Sequence, residues 1–337
     1  MNFELVWFDS LGAKSSCCLL ESGKTLVIDP GIAVMQPSFP ASLAKKLYWL
    51  AQGKRAVLAA LKRADAVIIS HYHYDHFIPD PGLYRGKLLI AKDPNKWIND
   101  SQRKRAEEFY SGFPGFRLGR AERVECEDPL KKLKLARKKR FGRYQPRRQD
   151  LLKKGLKWFQ ERCRRWNRYQ KIEVPGVVWG DGKSFRIGRM KVRLTQPLFH
   201  GIEFARVGWV FSVVVESKGF KFLHSSDLDG PIIEDYAEWI IEENPNVLVL
   251  DGPATYLIPY MLNLINLRRA VENLKEIVSR TDTELIILDH HLTRERLFRK
   301  RLKEVYQLAE KKHKQVLTAA EYLGKKPKCL ENGPAGI

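Results

Sequence analysis

The sequence predicts an α/β chain of layered sheets and helices. Short β-branched or apolar runs alternate with helical stretches along most of its length. The first three runs, Phe3–Phe8, Ser16–Glu21 and Thr25–Asp29, are joined by short turns, and Glu21-Ser22-Gly23-Lys24 is a hairpin signal. The chain is therefore expected to open with antiparallel pairing, which disfavours a purely parallel doubly wound sheet. Further strands are expected at Ala66–Ser70, Lys87–Ala91, Arg123–Glu127, Val174–Val178, Met190–Thr195, Val210–Glu216, Phe220–His224, Asn246–Asp251 and Glu284–Leu288. Helices are expected at Ser42–Arg63, Pro94–Tyr110, Ile232–Glu243, Leu262–Arg280 and Arg294–Lys312. No repeat at a solenoid period interrupts this order.

The composition supports a packed protein: 337 residues at 44% hydrophobic content can bury a large core, which excludes disorder as a class. Sixty Lys and Arg against 39 Asp and Glu give a net +21 and predict attraction to anions. The charge is concentrated. Between Leu130 and Lys171 eighteen Lys and Arg face only Asp150 and Glu161, so a net +16 sits in forty-two residues. Five cysteines, two of them the adjacent Cys17 and Cys18, suggest a reducing cytoplasm, and any bridge needs the scattered Cys126, Cys163 and Cys329 in suitable geometry. The N-terminus carries Glu4 where an export signal needs a basic residue and an apolar run. The uncharged stretch Gly252–Leu267 contains Pro253 and Pro259 and is too short to span a bilayer, so no transmembrane segment is expected.

After the apolar run Ala66-Val67-Ile68-Ile69-Ser70 comes His71-Tyr72-His73-Tyr74-Asp75-His76. In extended backbone His71 and His73 point to one side, while Asp75 and His76 begin the next turn, so one segment can serve two ions. With Asp29 closing a strand, His200 after Gln196-Pro197-Leu198-Phe199, Asp227 in His224-Ser225-Ser226-Asp227, and Asp289-His290-His291, the sequence resembles the metallo-β-lactamase superfamily of binuclear metallohydrolases. More closely, His71–His76 taken with Asp251-Gly252-Pro253 and Asp289-His290-His291 resembles an archaeal branch of it. The resemblance implies an αββα sandwich, with residues 1–129 and 173–337 as the two halves of one metallohydrolase domain and 130–172 as a basic helical insertion. Phe77-Ile78-Pro79 depart from the Gly found two residues beyond this motif in tRNA 3′-processing members, so that activity is not carried over.

The chemistry can also be argued from the residue types. His71, His73 and His200 offer three neutral imidazoles to one Zn²⁺ at about 2.0–2.1 Å. Asp75, His76 and His290 suit a second ion, and Asp227 can bridge two ions about 3.5–4 Å apart. Mn²⁺ or Fe²⁺ suits the same donors. A water between the ions would lose its proton near neutral pH, and the outcome would be hydrolysis. His290, first after its strand, is preferred to His291. Asp29 is expected to orient a ligand imidazole and His224 to be a core histidine. Asp75 is read as catalytic as well as ligating. Asp251, at a strand end, either protonates a leaving group or receives the amides of Gly252 and Ala254; Tyr256 is a weaker candidate.

In the basic block Phe141, Tyr144, Trp158, Phe159, Trp166 and Tyr169 interleave with the cations. Cations neutralise phosphates and aromatic faces stack on unpaired bases, so a single-stranded nucleic acid is the expected partner of residues 130–171. Leu151, Leu152, Leu156, Phe159 and Cys163 recur at helical spacing and predict an amphipathic helix there. An anionic membrane surface would suit the same cations; the opposing reading is a solvated charged surface of the kind thermophile proteins wear, or an oligomer contact. Three functions follow: a metal-dependent phosphodiesterase acting on nucleic acid, a hydrolase of a small anionic metabolite such as a lactone or cyclic phosphodiester, and a metal-binding module without catalysis. A cytoplasmic location is expected, and the oligomeric state is open to a homo-oligomer.

Overall fold

A computed structural model describes residues 1–331; the last six residues of the third expected segment lie outside the described ones. Along the chain come β1 (Asn2–Phe8), β2 (Ser16–Glu21), β3 (Thr25–Ile28), β4 (Ala66–Ile69), β5 (Leu88–Ala91), β6 (Arg117–Gly119), β7 (Lys171–Glu173), β8 (Val177–Trp179) and β9 (Ser184–Ile187). They are followed by β10 (Met190–Leu194), β11 (Leu198–Phe199), β12 (Trp209–Val210), β13 (Val213–Ser217), β14 (Phe220–His224), β15 (Val247–Leu250), β16 (Leu285–Leu288) and β17 (Gln315–Leu317). The main helices are α1 (Leu43–Arg63), α2 (Asp100–Tyr110), α3 (Lys134–Lys138), α4 (Gln145–Trp166), α5 (Glu234–Glu243), α6 (Leu264–Arg280), α7 (Phe298–Arg301) and α8 (Lys303–Lys311).

One sheet runs β1-β2-β3-β4-β5-β8 and the other β17-β16-β15-β14-β13-β10-β9. Each is antiparallel at one end and parallel at the other: β1, β2 and β3 pair antiparallel while β3, β4, β5 and β8 are parallel. Period-two alternation explains the layering. Leu26, Ile28, Ala66 and Ile68 point inward and meet Val192, Val213, Phe222 and Val249 of the other sheet, forming the inter-sheet core. Their neighbours Val27, Val67 and Ile69 point outward to α1 and α2, as Val214, Leu223, Leu248 and Ile286 do to α5 and α6. The result is the expected αββα sandwich. The parallel strands all deliver their carboxyl ends to one edge, where ligands gather in such sheets.

Several local expectations fail for physical reasons. Arg123–Glu127 is not a strand; it is a loop held by the Cys126–Cys163 disulfide, whose Cα atoms are 6.2 Å apart. Cys17, Cys18 and Cys329 are free and buried. The helix expected from Pro94 begins only at Asp100, where the Asn99 side chain accepts the amide of Gln102 at 2.8 Å. The single helix expected over Arg294–Lys312 starts only at Phe298, because Leu292–Arg294 is a 3-10 turn committed to the site described below, and it is interrupted at Leu302 between α7 and α8.

The basic block does form the expected amphipathic helix, α4, but its aromatic side chains are not free. Phe159 and Trp166 are buried, Trp158 stacks on Trp209 with centroids 5.6 Å apart, and Trp97 packs on both Phe159 and Trp166. Phe141 lies under the guanidinium groups of Arg148 and Arg269, and Tyr169 bonds Asp100 beneath Arg103. Gly155 allows this close docking: a Cβ there would sit 2.4 Å from the Phe204 ring. The expected stacking of bases on these aromatics is thus overturned, since at least five of the six already pack against the protein's own side chains. Phe159→Ala is expected to lower the unfolding free energy by about 3–5 kcal/mol in denaturant titration. A change within about 0.5 kcal/mol, the range of ordinary surface substitutions, would mean that α4 is not part of the core.

Candidate metal centre

Six elements end at the cluster. Asp9 follows β1, Asp29 follows β3, His71–His76 follow β4, Asp227 and Asp251 follow β14 and β15, and Asp289–His291 follow β16. His200 hangs from the two-residue ladder of β11 and β12, with its amide on the Gly208 carbonyl at 3.1 Å. These folding choices bring the expected ligands together in two groups.

In the first group His71 Nε2 lies 2.9 Å from His73 Nδ1 and 3.4 Å from Asp227 Oδ2, and His200 Nε2 lies 3.0 Å from the same oxygen. In the second, His76 Nε2 lies 3.3 Å from His290 Nε2 and 3.2 Å from Asp227 Oδ2, while His290 Nε2 is 3.7 Å from Asp75 Oδ2 and from Asp227 Oδ1. Donors at about 2.0–2.1 Å from a tetrahedral ion lie about 3.3 Å from one another, so both groups have the spacing of a closed coordination shell. Both ring nitrogens of His200 and both oxygens of Asp227 are buried without a hydrogen-bond partner. Leaving such atoms unsatisfied costs about 1–3 kcal/mol each, and a cation would satisfy them. The donor set and its orphaned atoms fit two divalent ions, with Asp227 between them.

The electrostatics agree for Asp227 and the first group, whereas in the second group burial would lower His76 but Asp227 and Asp29 hold it well above its ordinary value. Burial alone would raise the Asp227 carboxyl, but His76, His290, His71 and His291 hold it well below its ordinary value. Burial and the neighbouring His76 push His71 down to about 4, toward the neutral form that binds metal. Burial also pushes His73 down, helped by His71 and His200.

Behind the ligands stands a layer of carboxylates. Asp29 accepts the Ser70 amide and hydroxyl at 2.7 Å and lies 2.9 Å from His76 Nδ1, whose N–H it can accept. Gly31 lets this turn lie against the motif, since a Cβ there would be 2.1 Å from the His76 nitrogen. Asp9 does the same for His290, at 2.9 Å from Nδ1, while its other oxygen accepts the His291 amide at 3.0 Å and Arg294 Nε at 2.5 Å. Burial opposes ionisation of Asp9, but Arg294 and His290 hold its carboxyl well below the usual range. Arg294 reaches on to Asp75 Oδ2 at 3.2 Å. Sequence reasoning missed Asp9 and Arg294. Their signals were an acid closing the first strand and a cation four residues after His290. His224 lies apart, with Nε2 on Ser16.

The choice between His290 and His291 dissolves, because both point into the cluster. Leu292 N donates to His290 O at 2.7 Å across His291, whose φ of 61° and ψ of −47° define a strained γ-turn. His291 Nε2 comes 3.8 Å from Asp227, and its Nδ1 lies 3.3 Å from Asp229 and 3.4 Å from Asp251. Asp251 is buried and accepts the amides of Leu228 and Asp229 at 2.9 and 2.7 Å, not those of Gly252 and Ala254. A cavity of about 560 Å³ opens over the cluster, with His73, Asp75, His200, Asp229 and His291 among its lining residues; Asp251 is not one of them.

The fold and this cluster define the class: a metallo-β-lactamase superfamily protein, and residues 12–78 match the family model of that superfamily. Most members are metal-dependent hydrolases. The chain is 30% identical over 339 residues to the UPF0282 protein of Methanopyrus kandleri, covering 96% of this chain and 94% of that one. It is 28% identical over 332 residues to that of Korarchaeum cryptofilum, covering 96% and 89%. It belongs to the UPF0282 family. Among solved structures it is similar to the metallo-beta-lactamase fold protein YhfI from Bacillus subtilis, at 14% identity, 86% and 85% coverage and a TM-score of 0.39.

Replacing Asp9 or Asp29 by Asn is expected to weaken metal affinity by about 10–100-fold, because the imidazole each one orients loses its anchor. A chelator-competition titration measures this. Affinity unchanged within threefold would refute the orienting role. His224→Ala is expected to leave metal content intact.

Proposed function

We propose that the protein is a binuclear metal-dependent phosphodiesterase. The observation that carries this reading is the pair of donor groups sharing Asp227 in the floor of a cavity with Lys and Arg in its walls. His71, His73 and His200 with Asp227 would hold one ion, and Asp75, His76 and His290 with Asp227 the other. Two divalent cations there, Zn²⁺ or else Mn²⁺ or Fe²⁺, would supply Lewis acidity to a phosphoryl oxygen and ease the deprotonation of a water. The chain's own residues do the rest. Arg294 fixes Asp75 and, through Asp9, the His290 ring. His291, with Nδ1 between Asp229 and Asp251, keeps Nε2 to donate to a substrate oxygen. We assign Asp251 to holding the Asp227–Asp229 loop and His291, in place of direct proton donation to a leaving group.

We take nucleic acid as the substrate, because Arg147, Lys153, Lys157 and Arg164 remain exposed on α4, with Arg168 exposed just beyond its end, and can neutralise phosphates. The alternative, hydrolysis of a small anionic metabolite, is favoured by a cavity volume typical of small-molecule sites and by the burial of the aromatics. The cytoplasmic setting stays part of this reading, although the Cys126–Cys163 disulfide departs from the reducing environment that the cysteine usage suggested. No helix among the described residues is long and apolar enough to cross a membrane.

Elemental analysis of the purified protein is expected to find close to two transition-metal ions per chain. Asp227→Ala should empty both sites, and His290→Ala the second. His291→Ala should keep its metal yet lose about 10²-fold or more of its hydrolysis of bis(p-nitrophenyl) phosphate. Absence of metal after reconstitution, or no phosphodiester hydrolysis by the loaded protein, would overturn the reading.

For the polymer, single-stranded DNA binding should weaken with salt at a log–log slope of about −0.7 per phosphate engaged. Reversing Lys153, Lys157 and Arg164 to Glu should reduce that slope in filter binding. These exposed changes test the surface without removing α4 from the core. An unchanged slope would favour the small metabolite.

A further inference from the structure

Among the described residues, three of the cations that line the cavity have no ionic partner. Arg294 is held by Asp9 and Asp75, and His291 by Asp229 and Asp251. Lys14, Arg105 and Arg206 line the same cavity, and among the described residues none of them forms an ion pair with a carboxylate. Their backbones are firmly placed. Lys14 exchanges two hydrogen bonds of 2.9 Å with Ala33. The Arg206 and Val207 carbonyls accept the Asn99 side-chain amide at 2.9 and 2.6 Å, and Asn99 caps the helix that carries Arg105. The Arg105 guanidinium is itself oriented, donating to the Tyr72 carbonyl at 3.1 Å and lying over the Tyr74 ring.

We propose that Lys14, Arg105 and Arg206 form a second anion subsite in this cavity, which takes a phosphate group of the substrate other than the one hydrolysed at the His/Asp cluster. Three cations from three segments line one cavity and none is paired with an acid, so an oxyanion entering there meets them without displacing an ion pair. Arginine forks match phosphate oxygens, and such charge-assisted bonds are about twice as strong as neutral ones. The remaining wall, with Ile202, Leu257, Met261 and Leu262, suits the uncharged part of the same molecule. The subsite rests on the phosphodiesterase reading for its role in turnover. The second phosphate can come from a terminal monoester or from the next diester of a chain.

The test uses the metal-loaded protein and three probes: thymidine 5′-(p-nitrophenyl phosphate), the same compound with a 3′-phosphate, and the same with that 3′-phosphate esterified to another thymidine. The second or third probe should exceed the first in kcat/KM by about tenfold or more, for the strength of charge-assisted contacts. A gain confined to the second identifies a terminal phosphate, and an equal gain for the third identifies a chain. In Lys14→Ala and Arg206→Ala the ratio should fall to threefold or less, and in Arg206→Glu lower still. Calorimetry with thymidine 3′,5′-bisphosphate and thymidine 5′-phosphate gives a readout independent of turnover. If no probe is hydrolysed but the bisphosphate binds at least tenfold more tightly and loses that advantage in the variants, the phosphodiesterase reading fails and the subsite stands. If the 3′-phosphate changes neither kcat/KM nor binding by more than twofold, or the folded variants keep the full advantage, the subsite is overturned.

Discussion

The site is organised by one buried carboxylate. Asp227 lies where the carboxyl ends of the two sheets meet, out of contact with water and within 4 Å of five imidazole rings. A charge in such a place is tolerated only if cationic partners surround it. The geometry of the edge follows from that requirement: strand ends from both sheets converge on Asp227, and His200 is carried in by a separate short ladder. Two cations sharing Asp227 would satisfy the same requirement and explain why neither of its oxygens has a hydrogen-bond donor.

A second layer keeps the imidazoles in place. Asp29 and Asp9 close strands of the same sheet and perform the same task on His76 and His290, so each ligand ring of the second group is oriented by an acid from the opening segment of the chain. This couples the first thirty residues to the last third. Arg294 extends the coupling by joining Asp9 to Asp75, and the strained turn at His291 is held by the Asp9 carboxylate on its amide. Strain at such a position persists only where its surroundings over-determine it.

The basic segment shows how charge and packing divide one helix. Its apolar and aromatic side chains are consumed by the body, where Trp158, Phe159 and Trp166 gather around Trp97 and Trp209 beside the loop that carries His200. Some cations are consumed too: Arg148 pairs with Glu203 and Arg162 with Asp100. The exposed remainder is a cationic face on a helix that also buttresses one wall of the cavity, so the segment serves the site structurally whatever it binds.

Local periodicity and motif spacing determined much of this protein. Strands such as Ala66–Ile69 and Val247–Leu250, the antiparallel opening and the gathering of His and Asp side chains after β4 were legible, because apolar runs and a His-x-His-x-Asp-His spacing act within a few residues. Candidate ligands distant in sequence, such as His200 and Asp227, were legible only because the motif resembles a known family. Tertiary structure alone decided the rest. Asp9 and Arg294 carry no local signature; their role exists because β1 and the turn after β16 end side by side, 285 residues apart. His290 and His291 could not be separated by sequence because a γ-turn, not an extended backbone, turns both rings inward. The aromatics of the basic block read as a base-stacking surface because composition records which side chains are present, whereas burial depends on which face of α4 finds a partner, and that is set by long-range packing.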